Sequence, residues 1–222
     1  AAIVWHVREG QRCQADQVVA EIEGNAQALL TAERTALNFL QLLSAVASKT
    51  AVFVDAVDSV PGNRAAIVDT RKTTPGLRAF EKYSVVCGGG INHRYSLSDA
   101  VMAKDNHLAI LTRGGKDLTT ELRRVRSELP AGIKLEVEVD RVDQIPPVLA
   151  AEVDIIMLDN FNLEDLRKGV ELINGKCVVE ASGGVNLETV SEIAKTGVDV
   201  ISVGALTHSA RALDLALDVK ID

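Results

Sequence analysis

The chain has 222 residues, 47% hydrophobic, 25% charged and only 3% aromatic, with a formal net charge of -7. That apolar content supports a packed globular core and excludes collagen-like and low-complexity chains, while few aromatics and a negative balance argue against single-stranded or duplex nucleic acid as a partner. No uninterrupted apolar run approaches the ~18 residues of a membrane span, and the opening AAIVWHVREG lacks a signal-peptide layout, so a soluble, cytoplasmic protein with no membrane partner is expected.

In chain order, VWHVREGQRCQADQVVAEIEG combines glycines with short alternating runs and predicts a small antiparallel β unit. Asn25 to Ser48 then predicts one long helix. Its apolar positions, among them Leu29, Leu30, Leu37, Leu40, Leu43 and Val46, cover too much of the circumference for one packing partner, which predicts burial, including burial between subunits. A turn at Pro61-Gly62-Asn63 follows. From residue 64 onward, β-branched runs alternate with helical patterns, the signature of βα units and a parallel sheet. The spacing predicts seven strands: Ala65 to Asp69, Ser84 to Cys87, Leu108 to Leu111, Ile133 to Val139, Asp154 to Leu158, Cys177 to Glu180 and Asp199 to Val203. Helices are predicted over Leu118 to Leu129, Asp143 to Ala151, Leu163 to Ile173 and Leu187 to Lys195, with Asn162 and Asn186 as N-caps.

Polar residues follow these strands directly: Thr70-Arg71-Lys72 after the first, Glu138 and Asp140 near the end of the fourth, Asp159-Asn160 after the fifth, and Ser182-Gly183-Gly184 and Gly204 after the last two. A βα barrel builds its site at strand C-termini and holds phosphate on its last two glycine-containing loops, whereas an open doubly wound sheet gives no reason for polar residues at so many strand ends. Charge is also divided, with residues 133 to 222 at -9 and residues 1 to 132 at +2. Arg71, Lys72, His93, Arg94 and Lys104 lie beside glycines in that basic part, the pattern of an anion site. A plainer account makes each of them a solvated turn or helix residue, and the glycine pairs generic turns. Glu138 and Asp159 suit hydroxyl acceptance or Mg²⁺ held through water. Glu136 shares a strand face with Glu138. His6, His107 and His208 lack metal-ligand spacing, and Cys13, Cys87 and Cys177 lack disulfide or metal-knuckle spacing, so reduced thiols are expected.

TAERTALN (31 to 38), DTRKTTPGLR (69 to 78), YSVVCGGGINHRYSLSDA (83 to 100), KDNH (104 to 107), EVEVD (136 to 140), MLDNF (157 to 161), EASGGV (180 to 185) and DVISVGALTHS (199 to 209) together resemble the quinolinate phosphoribosyltransferase family, from about residue 4 to the end. The resemblance implies an α/β fold, an incomplete seven-stranded α/β barrel (63 to 207) with the remainder of an N-terminal α/β sandwich domain (1 to 62) and a tail (208 to 222) returning towards it. Members of the family begin further upstream. It implies phosphoribosyl transfer from phosphoribosyl pyrophosphate to quinolinate with Mg²⁺ and loss of CO₂. Thr70, Arg71, Lys72, His93, Arg94 and Lys104 would surround the dicarboxylate, and Arg34 would reach into a neighbouring subunit's site in a homodimer or assembly of dimers. Glu138 and Asp159, with Asn160 beside them, would face the ribose hydroxyls and the metal, directly or through water. Ser182-Gly183-Gly184 and Ser202-Val203-Gly204 would hold the 5′-phosphate, and Lys72, Lys104, Glu138 and Asp159 would carry the catalysis. Transfer to another pyridine or base, or a Schiff-base aldolase through Lys72 or Lys104, remain alternatives. A biotinyl-type carrier is disfavoured, since no lysine lies between Arg12 and Arg34.

Overall fold

The computed structural model describes residues 1–220. As predicted, the chain opens with two antiparallel strands, β1 (Ala2–Trp5) and β2 (Ala20–Glu23), paired from Ala2 opposite Glu23 to Trp5 opposite Ala20. Asn25 caps helix α1 (Ala26–Asp58), its side chain accepting from the Ala28 N–H. The helix passes the expected end at Ser48 because Val46, Phe53 and Val57 continue one apolar face and Thr50 returns its hydroxyl to the Val46 carbonyl.

Beyond the turn at Pro61 come β3 (Ala66–Val68), α2 (Arg78–Cys87), β4 (Ala100–Ala103), α3 (Asp105–Leu111), α4 (Leu118–Glu128) and β5 (Lys134–Val139). A single turn at Val142–Gln144 leads into α5 (Ile145–Ala150), followed by β6 (Ile155–Asp159), α6 (Leu163–Ile173), β7 (Val178–Ser182), α7 (Val190–Ala194), β8 (Val200–Ser202) and α8 (Ala205–His208). Six strands form one parallel sheet in the order β3-β8-β7-β6-β5-β4. One further parallel bridge joins Val68 to Ile91, so Ile91 stands where a seventh strand would begin. Among the described residues no ladder joins Ile91 to β4, and the barrel is incomplete.

Two predicted strands are corrected. Ser84 to Cys87 is the last turn of α2, whose buried Glu81, Lys82, Ser84 and Val85 follow helical spacing, and Leu108 to Leu111 completes α3. A four-residue apolar run satisfies either period, and here the flanking polar residues decide it. The strand that sequence reasoning missed is β4, AVMA, without a β-branched run and defined by its pairing with β5, Met102 opposite Glu136. The helix predicted from Leu187 shortens to α7, because the Asn186 side chain takes the Glu188 and Thr189 N–H groups in a preceding turn.

The C-terminal half of α1 packs on α2, β3, α7 and α8, while Leu30, Phe39 and Leu40 in its other half are 56%, 42% and 37% exposed. Burial on all sides therefore does not hold within this chain. By length and composition α1 is also apolar enough to cross a membrane, with a mean hydropathy of 1.4 over one 18-residue stretch, which a search for uninterrupted apolar runs does not register. After His208 the chain runs back along α1: Leu213 N–H donates to the Gln41 carbonyl, and the Gln41 amide to the Leu215 carbonyl. Residues 221 and 222 of the expected tail lie outside the described residues.

Alternation along the strands positions everything that follows. Leu135, Val137, Val139, Ile156, Leu158, Val179, Ala181, Ile201 and Val203 are buried against the helices together with Leu122, Ile145, Val148, Leu166 and Leu206. The opposite face of the same strands presents Glu136, Glu138, Met157, Asp159, Glu180, Ser182 and Ser202. The polar face of β5 thus points into the barrel, with helices covering the outside.

Candidate active site

One cavity, a groove of about 1110 Å³ lined by Arg64, Arg126, Ile145, Asp154, Cys177 and Asp199, lies at the N-terminal ends of the strands. Its charges are paired with each other, Arg64 with Asp199 and Arg126 with Asp154, and both carboxylates also accept strand N–H groups. That end of the barrel serves stability. The unpaired chemistry sits at the other end.

There, Asp69 directly follows β3, fully buried and bonded to Lys82 of α2, itself 2% exposed. Asp69 also accepts the His93 N–H at 2.8 Å, Lys82 donates to the His93 carbonyl at 3.0 Å, and the Asn92 amide donates to Asp69 at 2.8 Å. Burial raises the Asp69 pKa, against the pull of Lys82. Arg78 ties two loops together, donating to Thr73 Oγ1 at 3.0 Å, the Arg71 carbonyl at 3.2 Å and the Tyr95 carbonyl at 3.2 Å. The segments carrying Arg71 and Arg94 are therefore held by α2, an element that reading SVVC as a strand concealed. Arg78 and Lys82 went unnoticed for that reason.

His93 reaches inward. Its Nε2 lies 3.1 Å from Glu180 of β7 and 3.4 Å from Glu136 of β5, and Ser202 of β8 donates to the other oxygen of Glu180. Burial alone lowers the His93 pKa, but the hydrogen bonds and charges of Glu136 and Glu180 outweigh it and raise it from 6.5 to about 10. Burial likewise raises Glu136. The Arg94 N–H, however, points at His93 Nδ1 from 2.8 Å, and a second N–H cannot face it at that distance. The ring proton therefore sits on Nε2, between the two carboxylates. Because the folded site raises the His93 pKa above its unfolded value, its contribution to stability is complete below the ordinary histidine pKa of 6.5 and is lost as pH rises through about 10. The melting temperature is expected to fall several degrees further between pH 7 and 10 in the wild type than in His93→Gln, as read by scanning calorimetry; parallel slopes would contradict this.

Around this support the expected site residues assemble at strand C-termini. The Arg94 guanidinium donates to the Ala100 carbonyl at 3.3 Å and lies 3.1 Å from Met102 Sδ; burial lowers its pKa, the Arg71 charge adds, and Glu136 and Glu180 oppose. Arg71 Nε is buried without a partner among the described residues, and Thr70 Oγ1 accepts the Lys72 N–H at 3.0 Å. Lys72 runs beside Gly204, and its carbonyl accepts from Thr207 at 2.7 Å. Lys104, at the head of α3, pairs with Glu138 at 2.8 Å. Among the described residues no carboxylate lies within 4 Å of the Arg71, Lys72 or Arg94 charges, whereas Lys82 and Lys104 are paired. Val203 is buried outward and offers only its main chain to the last loop. Both His93 ring nitrogens are occupied by the protein, so His93 as placed acts through its neighbours.

Asn160 adopts a left-handed φ of 56°, donates its side chain to Asp159 at 2.7 Å and its N–H to the Ser182 carbonyl at 2.9 Å. Gly183 is required beside it. At φ 89° a Cβ there would stand 2.2 Å from Asn160 Oδ1 and 2.8 Å from its main-chain nitrogen. Gly183→Ala is expected to cost about 1 to 3 kcal/mol and to displace Asn160, visible as a lowered melting temperature together with weakened phosphate-ester binding. Arg34 is the one expected residue that the fold does not bring here in its own chain. It is 68% exposed and its guanidinium lies 3.9 Å from Glu33. Glu180 carried a usable signal that went unread, an acid inside the apolar run CVVEA.

The chain matches the family model for the N-terminal domain of quinolinate phosphoribosyl transferase over residues 1–44 and that for its C-terminal domain over residues 46–218. It is 43% identical to a nicotinate-nucleotide pyrophosphorylase [carboxylating] of Mycobacterium leprae over 98% of this chain and 75% of that protein. It is 39% identical to a probable nicotinate-nucleotide pyrophosphorylase [carboxylating] of Bacillus subtilis over 98% and 73%. The crystal structure of the nicotinate-nucleotide pyrophosphorylase from Ehrlichia chaffeensis superposes with a TM-score of 0.90 at 40% identity, covering 99% of this chain and 77% of that one.

Proposed function

The chain belongs to the quinolinate phosphoribosyltransferase family, and we propose that its cations and carboxylates at the strand C-termini divide that family's reaction between them. It is a pentosyltransferase of NAD biosynthesis, joining quinolinate to phosphoribosyl pyrophosphate to give nicotinate mononucleotide, pyrophosphate and CO₂. The observation that carries the assignment of residues is the set of cations without carboxylate partners, Arg71, Lys72 and Arg94, facing two carboxylates on adjacent strands, Glu138 and Asp159.

On this reading Arg71 and Arg94 receive the dicarboxylate, with Thr70, Lys72, His93 and Lys104 around it. The Ser182-Gly183-Gly184 and Ser202-Val203-Gly204 loops, with Asn160 beside the first, receive the 5′-phosphate. Glu138 and Asp159 face the ribose, and they are also the residues that would hold Mg²⁺. Both are partly exposed at strand ends, which fits an ion that keeps several waters and takes one or two carboxylates together with substrate oxygens. When bound, it supplies positive charge toward the departing pyrophosphate.

The C1′–O bond breaks with its electron pair leaving on pyrophosphate, and the carboxylates stabilise the oxocarbenium-like C1′ while Lys72 and Lys104 add positive charge toward the leaving group. The pyridine nitrogen donates its lone pair to C1′. The resulting pyridinium accepts the pair released when the 2-carboxylate departs as CO₂, and C2 then takes a proton. Tight binding of the departing carboxylate would oppose its loss, so the 3-carboxylate receives the closest arginine contacts. Incubation with quinolinate, phosphoribosyl pyrophosphate and Mg²⁺ should release equal amounts of nucleotide and CO₂; nucleotide formation from another base in preference would overturn the substrate assignment.

The active unit in this reading is a cytoplasmic homodimer or assembly of dimers with Arg34 acting in trans. Leu30, Phe39 and Leu40 are exposed on the same half of α1 as Arg34, and Phe39 meets the exposed Phe80 of α2, a broad apolar surface for a second copy. Mixing inactive Arg34→Ala with inactive Lys104→Ala subunits should restore roughly a quarter of wild-type activity, because each mixed dimer holds one site with both lesions and one with neither. No recovery despite demonstrated subunit exchange would place Arg34 outside the partner's site.

A further inference from the structure

Two strands that do not touch each other converge on one imidazole. Glu136 rises from β5 and Glu180 from β7, with β6 between them, yet both reach His93 Nε2, at 3.4 and 3.1 Å. Glu180 has a second partner in Ser202, but Glu136 is fully buried and neither of its oxygens makes a hydrogen bond of good geometry among the described residues. Burying a carboxylate with so little compensation is costly, so packing alone does not account for the acid.

The far side of the ring shows what that is. His93 Nδ1 accepts the Arg94 N–H at 2.8 Å, which is possible only while the proton stays on Nε2. An N–H 2.8 Å from Nδ1 and carboxylate oxygens 3.1 and 3.4 Å from Nε2 are served together only by the tautomer with its proton on Nε2. We propose that Glu136 and Glu180 are positioning residues: by claiming the Nε2 proton they leave Nδ1 to hold the Arg94 main chain, and so fix the guanidinium that receives the substrate carboxylate. This rests on the assignment of Arg94 to quinolinate given above. A metal ion on the same three groups would need the Nε2 lone pair, moving the proton to Nδ1 and directly against the Arg94 N–H.

The test uses the full chain with ¹⁵N-labelled histidine, the His93 signals being identified by their loss in His93→Gln. Without substrate, the wild type should show Nε2 protonated and Nδ1 as an unprotonated acceptor. Glu136→Gln and Glu180→Gln, whose amides donate as well as accept, should mix the two tautomers. Each should weaken quinolinate binding by roughly tenfold to a hundredfold, as expected for one charge-assisted hydrogen bond, while phosphoribosyl pyrophosphate affinity stays within about twofold. Glu180→Asp, still an acceptor only, should keep the wild-type tautomer. A proton on Nδ1 in the wild type overturns the proposal, and so do unchanged quinolinate affinity in a folded glutamine variant or equal losses for both substrates. Should one glutamine variant fail to fold, the other, on a separate strand, reads the same outcome, and the wild-type tautomer decides without either. A wild-type protein with the expected tautomer but no quinolinate affinity would instead remove the substrate assignment and leave the positioning of Arg94 standing.

Discussion

Replacing Arg94 by alanine is expected to weaken quinolinate binding by about 2 to 5 kcal/mol, the cost of leaving a carboxylate unpaired in a desolvated pocket. In affinity this is roughly 30-fold to several-thousand-fold. The guanidinium has no carboxylate partner of its own to lose, and its one main-chain bond, to the Ala100 carbonyl at 3.3 Å, contributes about 1 kcal/mol to stability. Folding should therefore survive with a melting temperature only a few degrees lower. Calorimetric titration of the folded variant with quinolinate checks both parts, and an unchanged affinity would remove Arg94 from the site.

Asp159→Asn should act on the other substrate. The substitution keeps size and leaves an oxygen to accept from Asn160, now 2.7 Å away, but removes the charge beside the ribose. If that charge stabilises the electron-poor C1′ as pyrophosphate leaves, kcat falls by about a hundredfold to a thousandfold. Quinolinate affinity, set on the Arg71 and Arg94 side, stays within about threefold. Equal losses in turnover and quinolinate affinity would contradict the division of roles.

Which parts of this molecule could be read beforehand depended on what each signal competed with. IIMLD and VVEAS are continuous strands bounded by turns and have no helical alternative, so β6 and β7 were legible, as was α6 with its Asn162 cap. SVVC and LAIL were not, because four residues cannot separate a strand from a helix turn, and AVMA has a single β-branched residue, Val101, among small and flexible ones. The cations at strand ends stood out because glycine and proline isolate them from helical charge patterns. Their supports did not. Glu180 stands out as an acid in an apolar run, but its meeting with Glu136 at one histidine exists only once the sheet curls enough to bring β5 and β7 together, and Lys82 and Arg78 depend on a helix whose SVVC end reads equally as a strand.

A fully closed barrel has no edges, and this one has two. Beside β3 the exposed row of main-chain groups is shortened by the single bridge to Ile91, but β4 carries a free edge of the kind that invites another chain to add a strand. Its defence is made of side chains. The strand is four residues long, bracketed by Asp99 and Lys104, and the Arg94 guanidinium occupies the carbonyl of Ala100 from across the gap. The charge that gathers anions at the mouth thus also stitches the open seam, so protection against strand-to-strand aggregation and recognition of the substrate are vested in one residue and cannot be selected separately.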